Sequence, residues 1–198
     1  MNRFSQTYQV ILIFCLSLTL MSFTKAGNKS VSVKPVAVWE QGNLDYGMFR
    51  IPALIVTKKG TVLAFAEGRE GQGDAGDIDL LVKRSTDNGK TWSKQSVVWD
   101  DGNNTCGNPC AVIDQTTGRI ILMMTWNSGD YGEDEIIKKN IDDTRRPYIT
   151  YSDDDGLTWS NPVDLTKSCK NPDWGWYATG PGVGIQLKSD KYKNRIVV

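Results

Sequence analysis

The stretch spanning residues 48–92 reads MFRIPALIVTKKGTVLAFAEGREGQGDAGDIDLLVKRSTDNGKTW and contains the pattern on which the fold prediction rests. Two short apolar runs, 53–57 and 61–66, flank the turn residues 58–60. A third run, 78–84, ends at polar residues. Short apolar runs separated by turn residues are typical of antiparallel β-strands. The stretch therefore predicts a hairpin followed by a third strand.

The same pattern continues on both sides of this stretch, with further strand-like segments at 31–39, 111–114, 119–125, 148–151 and 184–187. The turn residues Gln-Thr-Thr-Gly separate two of these segments. Sustained helical periodicity is absent from the sequence after residue 26, although 134–140 is compatible with one or two helical turns. The chain is predicted to be all-β and mostly antiparallel.

Composition excludes several classes of function. The 198 residues include 23 basic and 23 acidic side chains, so nothing indicates a nucleic-acid partner or a polybasic membrane patch. Histidine is absent from the sequence, which excludes histidine-based triads and removes the imidazole ligands that most zinc sites use. We expect no metal and no cofactor. Proton transfer must then fall to carboxylates, tyrosine, lysine or cysteine.

Residues 1–26 are predicted to be a signal peptide. Arg3 lies in a short polar lead, 10–20 is an apolar run, and a small residue, Ala26, precedes the expected cleavage point. The run is too short to span a bilayer comfortably, so we expect no transmembrane span after its removal. Residues 27–198 then form the mature domain, which is exported to a periplasmic, secreted or cell-surface location.

Three cysteines remain after the signal peptide. An exported location permits a disulfide between Cys106 and Cys110, but the sequence does not require one. Cys169 is expected to be an isolated buried thiol.

A turn motif occurs twice in the sequence, each time after a strand-like segment. Residues 85–92 and 152–159 both fit S-x-D-x-G-x-x-W, with Asp87 and Asp154 at the third position. An aspartate there can accept hydrogen bonds from backbone N–H groups, the glycine permits an unusual φ, and the tryptophan fills space between sheets. We interpret the motif as structural; calcium binding by the acidic run 153–155 is the weaker alternative.

A repeat of this length with several strands in each copy favours a β-propeller. Phe49-Arg50-Ile51-Pro52 is followed by Glu67-Gly68-Arg69 and an Asp-rich loop, and both Asp boxes lie further along the chain. Together these motifs resemble the exo-sialidase (neuraminidase) family. The resemblance runs from about residue 36 to residue 198. It implies the N-terminal part, about half, of a six-bladed β-propeller of the sialidase type, so the chain is expected to be truncated at its C-terminus.

Two arginines are candidate substrate-binding residues. Arg50 matches the arginine of the family's F-R-I-P motif, one of three that bind the carboxylate of sialic acid, and a guanidinium is suited to that task because it is permanently charged and bidentate. Arg69 resembles a second family arginine that faces the 4-position of the sugar. A solvated surface arginine is the alternative for Arg69.

Asp74 is the candidate general acid/base, because the resemblance places an aspartate that protonates the leaving oxygen in this glycine-rich loop. Asp77 is the alternative under a different loop alignment, and Asp79 fits less well because it alternates with apolar residues of the next strand. A proton donor near neutral pH needs a raised pKa, through burial by substrate or a nearby negative charge.

Asn108 precedes Pro109 in a segment that resembles a pocket-lining loop, and it is a candidate for binding a substrate hydroxyl; turn formation is the alternative. An apolar wall for the sugar requires an aromatic side chain, and we expect at most one of the four candidates to supply it: Trp126, Trp174, Trp176 and Tyr177.

The resemblance implies retaining hydrolysis of terminal sialic acids from glycoproteins, glycolipids or oligosaccharides. Family members use a tyrosine nucleophile activated by a glutamate, and residues 1–198 contain no match to that pair or to the other two arginines. We therefore expect the chain to carry the acid/base and part of the substrate site, with little or no turnover of its own. A non-catalytic Asp-box fragment that binds carbohydrate or a surface partner is the alternative.

Overall fold

The computed structural model describes residues 34–42, 46–139, 141 and 143–198. The predicted signal peptide, 1–26, lies outside the described residues. Within the described part of the chain, no helix is long and apolar enough to cross a membrane. Residues 35–198 form one unit in which strands predominate.

The first four strands form an antiparallel meander, β1 to β4: Met48–Val56, Val62–Arg69, Ile78–Ser85 and Ser96–Trp99. β1 and β2 are joined by a turn in which Val56 lies opposite Val62, and Gly60 adopts a φ of 86°. The predicted hairpin and third strand are thereby confirmed. The expected strand at 31–39 is wrong where the structure describes it, because residues 34–40 adopt no regular strand.

A second meander follows, with strands β5 to β8 and one short helix, α1: Thr105–Ile113, Ile120–Asn127, Arg146–Ser152 and Val163–Asp164, with Glu133–Lys138 as the helix. The helix confirms the expected turns near 134–140. α1 joins β6 to β7. Its first turn carries Glu133, Asp134 and Glu135, and negative charges there interact favourably with the positive end of the helix dipole.

The rest of the chain contains a short helix, α2, three two-residue strands, β9 to β11, and one 3-10 turn: Thr166–Cys169, Gly182–Val183, Ile185–Gln186, Ile196–Val197 and Asp190–Tyr192. β9 pairs in parallel with β5, with Gly182 opposite Cys110. β1 also contacts β5 and β9. First strands of successive units that lie side by side are the arrangement of a β-propeller. The described residues are therefore all-β and form part of a propeller.

The hydrophobic core joins the two meanders. Buried side chains of β2 and β3 pack with those of β5 and β6, including Leu63, Phe65, Leu80, Leu122 and Met124. Trp159 of the second Asp box meets Phe65 edge to face at 5.7 Å between ring centroids. The motif tryptophan therefore fills the space between neighbouring sheets, as predicted.

Both Asp boxes have the predicted turn geometry. Asp87 accepts backbone N–H bonds from Lys90 and Thr91, at 3.0 and 2.9 Å. Asp154 accepts the equivalent bonds from Leu157 and Thr158, at 3.1 and 2.9 Å. The aspartates thus satisfy backbone donors of their own turns.

The acidic run 153–155, which lies inside the second Asp box, has protein partners. Asp153 forms an exposed bidentate pair with Arg119, and Asp155 pairs with Arg84 of the first meander. Asp155 also accepts a hydrogen bond of 2.6 Å from Thr61 Oγ1. These contacts support the structural interpretation of the run.

The three cysteines in the part of the chain that the structure describes are free thiols. Cys106 and Cys110 are both buried in β5, and burial raises the pKa of each. The expectation for Cys169 is wrong: it is exposed at the end of α2, where its thiol donates to the carbonyl of Leu165.

Candidate functional site

A cavity of about 250 Å³ lies at the end of the sheet where β1 begins and β2 ends. All four predicted site residues, Arg50, Arg69, Asp74 and Asn108, line it, and they are joined by Ile51, Glu67, Thr105, Glu133, Arg145 and Trp176. The antiparallel pairing of β1 with β2 brings Arg50 and Glu67 together, because it places these two residues opposite each other. The loop between β2 and β3 then brings Asp74 back to the same end.

Two irregular strand positions direct side chains into the cavity. Pairing shifts between Arg50 and Ala53 in β1, and Ile51 in this break has a φ of 55°. Pairing shifts again between Gly107 and Cys110 in β5, where Asn108 has a φ of 53°. Both positive-φ residues precede a proline, and β-bulges of this kind redirect side chains near binding sites. The Ile-Pro and Asn-Pro pairs are therefore equivalent features of two successive units.

The floor of the cavity is a buried ion pair. Arg69 donates from Nε to Oε2 of Glu67 at 2.9 Å, and its Nη2 contacts the same oxygen. Their side chains are 3% and 1% exposed, so the solvated alternative for Arg69 is wrong. Burial alone would lower the pKa of Arg69, but Glu67 and Asp74 together raise it. Arg69 is a fixed cation.

Asp74 lies between two arginines. Its Oδ1 accepts hydrogen bonds from Nη1 of Arg69 at 2.7 Å and from Nη1 of Arg50 at 3.0 Å. The hydrogen bond from Arg69 holds the pKa of Asp74 below its ordinary value, against the opposing effect of burial, and the charges of Arg50 and Arg145 add to this. Asp74 is therefore a carboxylate at neutral pH, and its pKa lies below rather than above the ordinary value.

The two alternatives to Asp74 lie elsewhere. Asp77 does not line the cavity, and its backbone carbonyl accepts a bond from the Glu70 N–H. Asp79 is buried against Tyr46, whose hydroxyl donates to it. Burial raises the pKa of Asp79 to about 6, and the nearby Asp100 contributes, while the bond from Tyr46 opposes the shift. Of the three aspartates, the cavity contains Asp74.

Asn108 is held by its neighbours on several sides. Its backbone N–H donates to Oε1 of Glu67 at 2.9 Å, and its side-chain amide donates to the Gly180 carbonyl at 3.0 Å. Its Oδ1 accepts bonds from Thr125 Oγ1, at 3.1 Å, and from Arg145. These contacts fix the bulge of β5, and they leave one amide N–H of Asn108 for a ligand.

Arg145 is a cavity residue that sequence reasoning missed. It is 3% exposed, and it donates to Thr125 Oγ1 at 3.0 Å and to Asn127 Oδ1 at 2.6 Å. Burial lowers its pKa to about 10, so it remains charged at neutral pH. The sequence offers no signal that separates it from the adjacent Arg146, which is only partly buried and pairs with Asp143.

Trp176 covers Arg145, with 4.3 Å between the guanidinium carbon and the ring centroid. Of the four aromatic candidates, Trp176 is the one that lines the cavity. Trp126 instead donates from Nε1 to Asp101 at 2.6 Å, and Trp174 stacks with Tyr177. This placement agrees with the expectation of one aromatic wall.

The cavity combines three guanidinium groups with three carboxylates. Arg50 is the most accessible cation, with 43% of its side chain exposed, and an incoming anion can compete with Asp74 for it. Among the described residues, no group of three side chains is arranged to hold a metal ion. The cavity thus brings cationic, carboxylate and amide groups together at one end of the sheet.

Fold and cavity define an Asp-box propeller, and comparison with known proteins identifies the family. The model of the BNR repeat-like domain matches residues 60–196. The exo-alpha-sialidase of Aspergillus fumigatus is 41% identical over 162 residues, which cover 73% of this chain and 40% of that protein. A sialidase of Bacteroides fragilis is 31% identical over 166 residues, covering 77% and 30%. The chain belongs to the exo-alpha-sialidase family of BNR-repeat proteins.

Solved structures agree with this assignment. The Hadza microbial sialidase Hz136 has 32% sequence identity and a TM-score of 0.65, with 72% of this chain and 31% of that chain covered. The leech intramolecular trans-sialidase, at 17% identity and a TM-score of 0.68, covers 84% of this chain and 42% of its own, and shows the likeness of fold alone. The chain spans about two fifths of the Aspergillus protein. The predicted family and the partial sialidase-type propeller are confirmed.

Proposed function

We propose that this chain supplies the acid/base and part of the substrate-binding surface of a retaining exo-alpha-sialidase. The observation that supports this proposal is the contact between Arg50 and Asp74 in one cavity, because an arginine suited to binding an anion then lies beside a carboxylate suited to proton transfer. A sialoside carries its carboxylate on the anomeric carbon, so the receptor and the proton donor must be neighbours. A module that only binds sugar has no need of this pairing.

Binding of the substrate changes the state of Asp74 in this mechanism. The substrate carboxylate binds Arg50 and removes one of the two cationic hydrogen bonds that stabilise the Asp74 carboxylate. The negative charge of the substrate and the exclusion of water both raise the pKa of Asp74. Asp74 then takes up a proton and delivers it to the leaving glycosidic oxygen.

The remaining cavity residues orient the sugar. Arg69, held by Glu67, presents a fixed guanidinium toward the 4-position, and Asn108 offers its free amide N–H to a hydroxyl. Trp176 gives an apolar wall against which a ring substituent packs. These assignments rest on the family resemblance together with the placement of the residues.

The nucleophile of the retaining reaction is a tyrosine activated by a glutamate in the family. A neutral phenol avoids the repulsion that an anionic nucleophile would meet from the substrate carboxylate. Because residues 1–198 match no such pair, we propose that this chain alone does not complete the reaction. We further propose that it is exported and that its substrates are sialylated glycoproteins, glycolipids or oligosaccharides.

Isothermal titration with N-acetylneuraminic acid tests the binding half of the proposal. We expect the purified chain to bind the acid, and Arg50→Gln to weaken binding by about tenfold, which corresponds to the loss of one charge-assisted contact. Arg119→Gln is the matched control, since it removes an exposed arginine paired with Asp153 at a distance from the cavity. Equal affinity of the Arg50→Gln chain and the unmodified chain would contradict the assignment.

Turnover tests the other half. The 198-residue chain is expected to release no 4-methylumbelliferone from the sialic acid glycoside of 4-methylumbelliferone. Release by the unmodified chain that disappears in Asp74→Asn would show that the nucleophile lies within residues 1–198. Sialic acid binding that is unaffected by Arg50→Gln, together with no release, would favour a carbohydrate-binding module instead.

A further inference from the structure

The carbonyl oxygen of Gly175 accepts three hydrogen bonds. The donors are the backbone N–H of Arg145 at 3.0 Å, Oγ1 of Thr144 at 2.6 Å and Nζ of Lys170 at 3.1 Å. Lys170 follows α2, whereas Thr144 and Arg145 precede β7. One backbone oxygen therefore links the residue after α2 and the start of a sheet strand to the loop that carries Trp176.

Lys170 is the unusual member of this group, because it is a lysine that is 7% exposed. Its ammonium group also donates to Oγ1 of Thr144. Burial lowers its pKa, and the nearby Arg146 lowers it further. Burying an ammonium group costs free energy unless its donors are satisfied, and here two of its three donors have partners. The ammonium group is therefore held between Thr144 and Gly175.

Gly175 also presses against α1. A Cβ atom at this position would lie 2.2 Å from the carbonyl oxygen of Ile136, so only glycine fits. Ile136 is fully buried, and the same helix carries Glu133 at the cavity rim. The next residue after Gly175 is Trp176, which covers Arg145. Gly175 thus contacts the helix that carries Glu133, bonds to the backbone of Arg145 and precedes Trp176 in the chain.

We propose that Lys170 is a positioning residue of the substrate cavity: it holds the Gly175 carbonyl and thereby sets Trp176 over Arg145, although it lines no part of that cavity itself. The role of Lys170 in substrate binding rests on the proposed function. Its role in the position of Trp176 concerns only the packing of this chain.

Three variants of the complete chain test this proposal. Lys170→Met keeps the length of the aliphatic side chain and removes the ammonium donors, whereas Lys170→Arg keeps a cation and its donors. Lys167→Met is the matched control, because Lys167 is an exposed lysine of α2, three residues before Lys170. The chain is labelled with 5-fluorotryptophan, and the ¹⁹F resonance that is absent from Trp176→Phe is assigned to Trp176.

We expect Lys170→Met to shift or broaden the Trp176 resonance and to weaken binding of N-acetylneuraminic acid by about tenfold, at a temperature where the chain remains folded. Lys170→Arg should restore the resonance toward its original position, and Lys167→Met should change neither property. A Trp176 resonance that is unchanged in folded Lys170→Met would overturn the proposal. So would a shifted resonance with unchanged affinity, because the position of Trp176 would then not matter to the ligand.

Failure of the two proposals can be told apart. If the unmodified chain does not bind N-acetylneuraminic acid, the proposed function fails in its binding half. The ¹⁹F comparison of Lys170→Met with Lys167→Met still decides whether Lys170 positions Trp176. Loss of all six other tryptophan resonances along with that of Trp176 would indicate general unfolding and would count against a local positioning role.

Discussion

Arg69 donates a hydrogen bond of 2.7 Å to the carboxylate of Asp74, five residues further along the chain. The two residues differ in their freedom, since the side chain of Arg69 is 3% exposed and that of Asp74 is 53% exposed. The buried arginine therefore acts as a fixed point toward which a solvent-facing loop folds. Because the same contact stabilises the ionised form of Asp74, the chemistry of the loop depends on which cations remain paired with it.

Arg50→Gln is expected to raise the pKa of Asp74 in the absence of any ligand. The substitution removes one of the two cationic donors to Oδ1, so the ionised form loses stabilisation and protonation occurs at higher pH. A pH titration of the ¹³C-labelled aspartate carboxyl groups by NMR measures the change. Arg119→Gln should raise the pKa of Asp153 and leave that of Asp74 where it is. An unchanged pKa of Asp74 in the Arg50→Gln chain would show that the ion pair between Arg50 and Asp74 does not form in solution.

Gly107→Ala is expected to disrupt the floor of the cavity. An added Cβ would lie 2.1 Å from Oε1 of Glu67, and Glu67 is too buried to move aside. The change should destabilise the chain by about 1–3 kcal/mol and weaken binding of N-acetylneuraminic acid. Gly71→Ala is the control, because an added Cβ there meets no atom within 4 Å. Chemical denaturation and titration of both variants provide the comparison, and equal stabilities would argue against the tight contact.

Asp155→Asn is expected to destabilise the chain by about 1–3 kcal/mol, because a half-buried arginine loses its charged partner. Asp155 links the second Asp box to Arg84 and Thr61 of the first meander. Its φ of 67° suits asparagine, so the substitution tests the charge rather than the backbone.

Asp153→Asn provides the contrast for Asp155. Its pair with Arg119 is exposed, and pairs of that kind contribute about 0–1 kcal/mol. Urea denaturation of the two variants should therefore give a larger loss for Asp155→Asn. A larger loss for Asp153→Asn would mean that the contact between the meanders does not stabilise the fold.

Asp79 is expected to make the chain less stable as pH rises through about 6. Its folded-state pKa is raised to about 6, so the protonated form is favoured by folding; the contribution is full below the ordinary aspartate range and is lost above pH 6. The groups that face it are Tyr46, Asp77 and Asp100.

Asp79→Asn should remove this dependence, since the amide stays neutral, and the variant should gain about 2–3 kcal/mol relative to the unmodified chain between pH 4 and 7. Thermal unfolding at a series of pH values measures the difference. A stability difference between the two chains that stays constant from pH 4 to 7 would show that Asp79 ionises normally.

Local pattern was enough to predict the hairpin, the two Asp boxes and the short helix, because each depends on residues close together in sequence. The carboxylate of Asp154, for example, accepts a hydrogen bond from the backbone N–H of Thr158, only four residues later. The family motif also led to Arg50, Arg69 and Asp74, which share one cavity. Arg145 could not be found in this way, since its partners Thr125 and Asn127 belong to another strand and its cover, Trp176, comes from a later loop.

The sequence by itself determined that this chain is an all-β protein with two Asp boxes and the motif residues of a sialidase, because apolar alternation, glycine positions and motif spacing are local properties. Only the tertiary structure decided what state those residues are in. It buried Arg69 against Glu67, paired Asp74 with two cations, left Cys169 exposed, and placed Lys170 beneath the loop of Trp176. Burial and charge pairing arise from contacts between distant segments, and a linear pattern does not contain them.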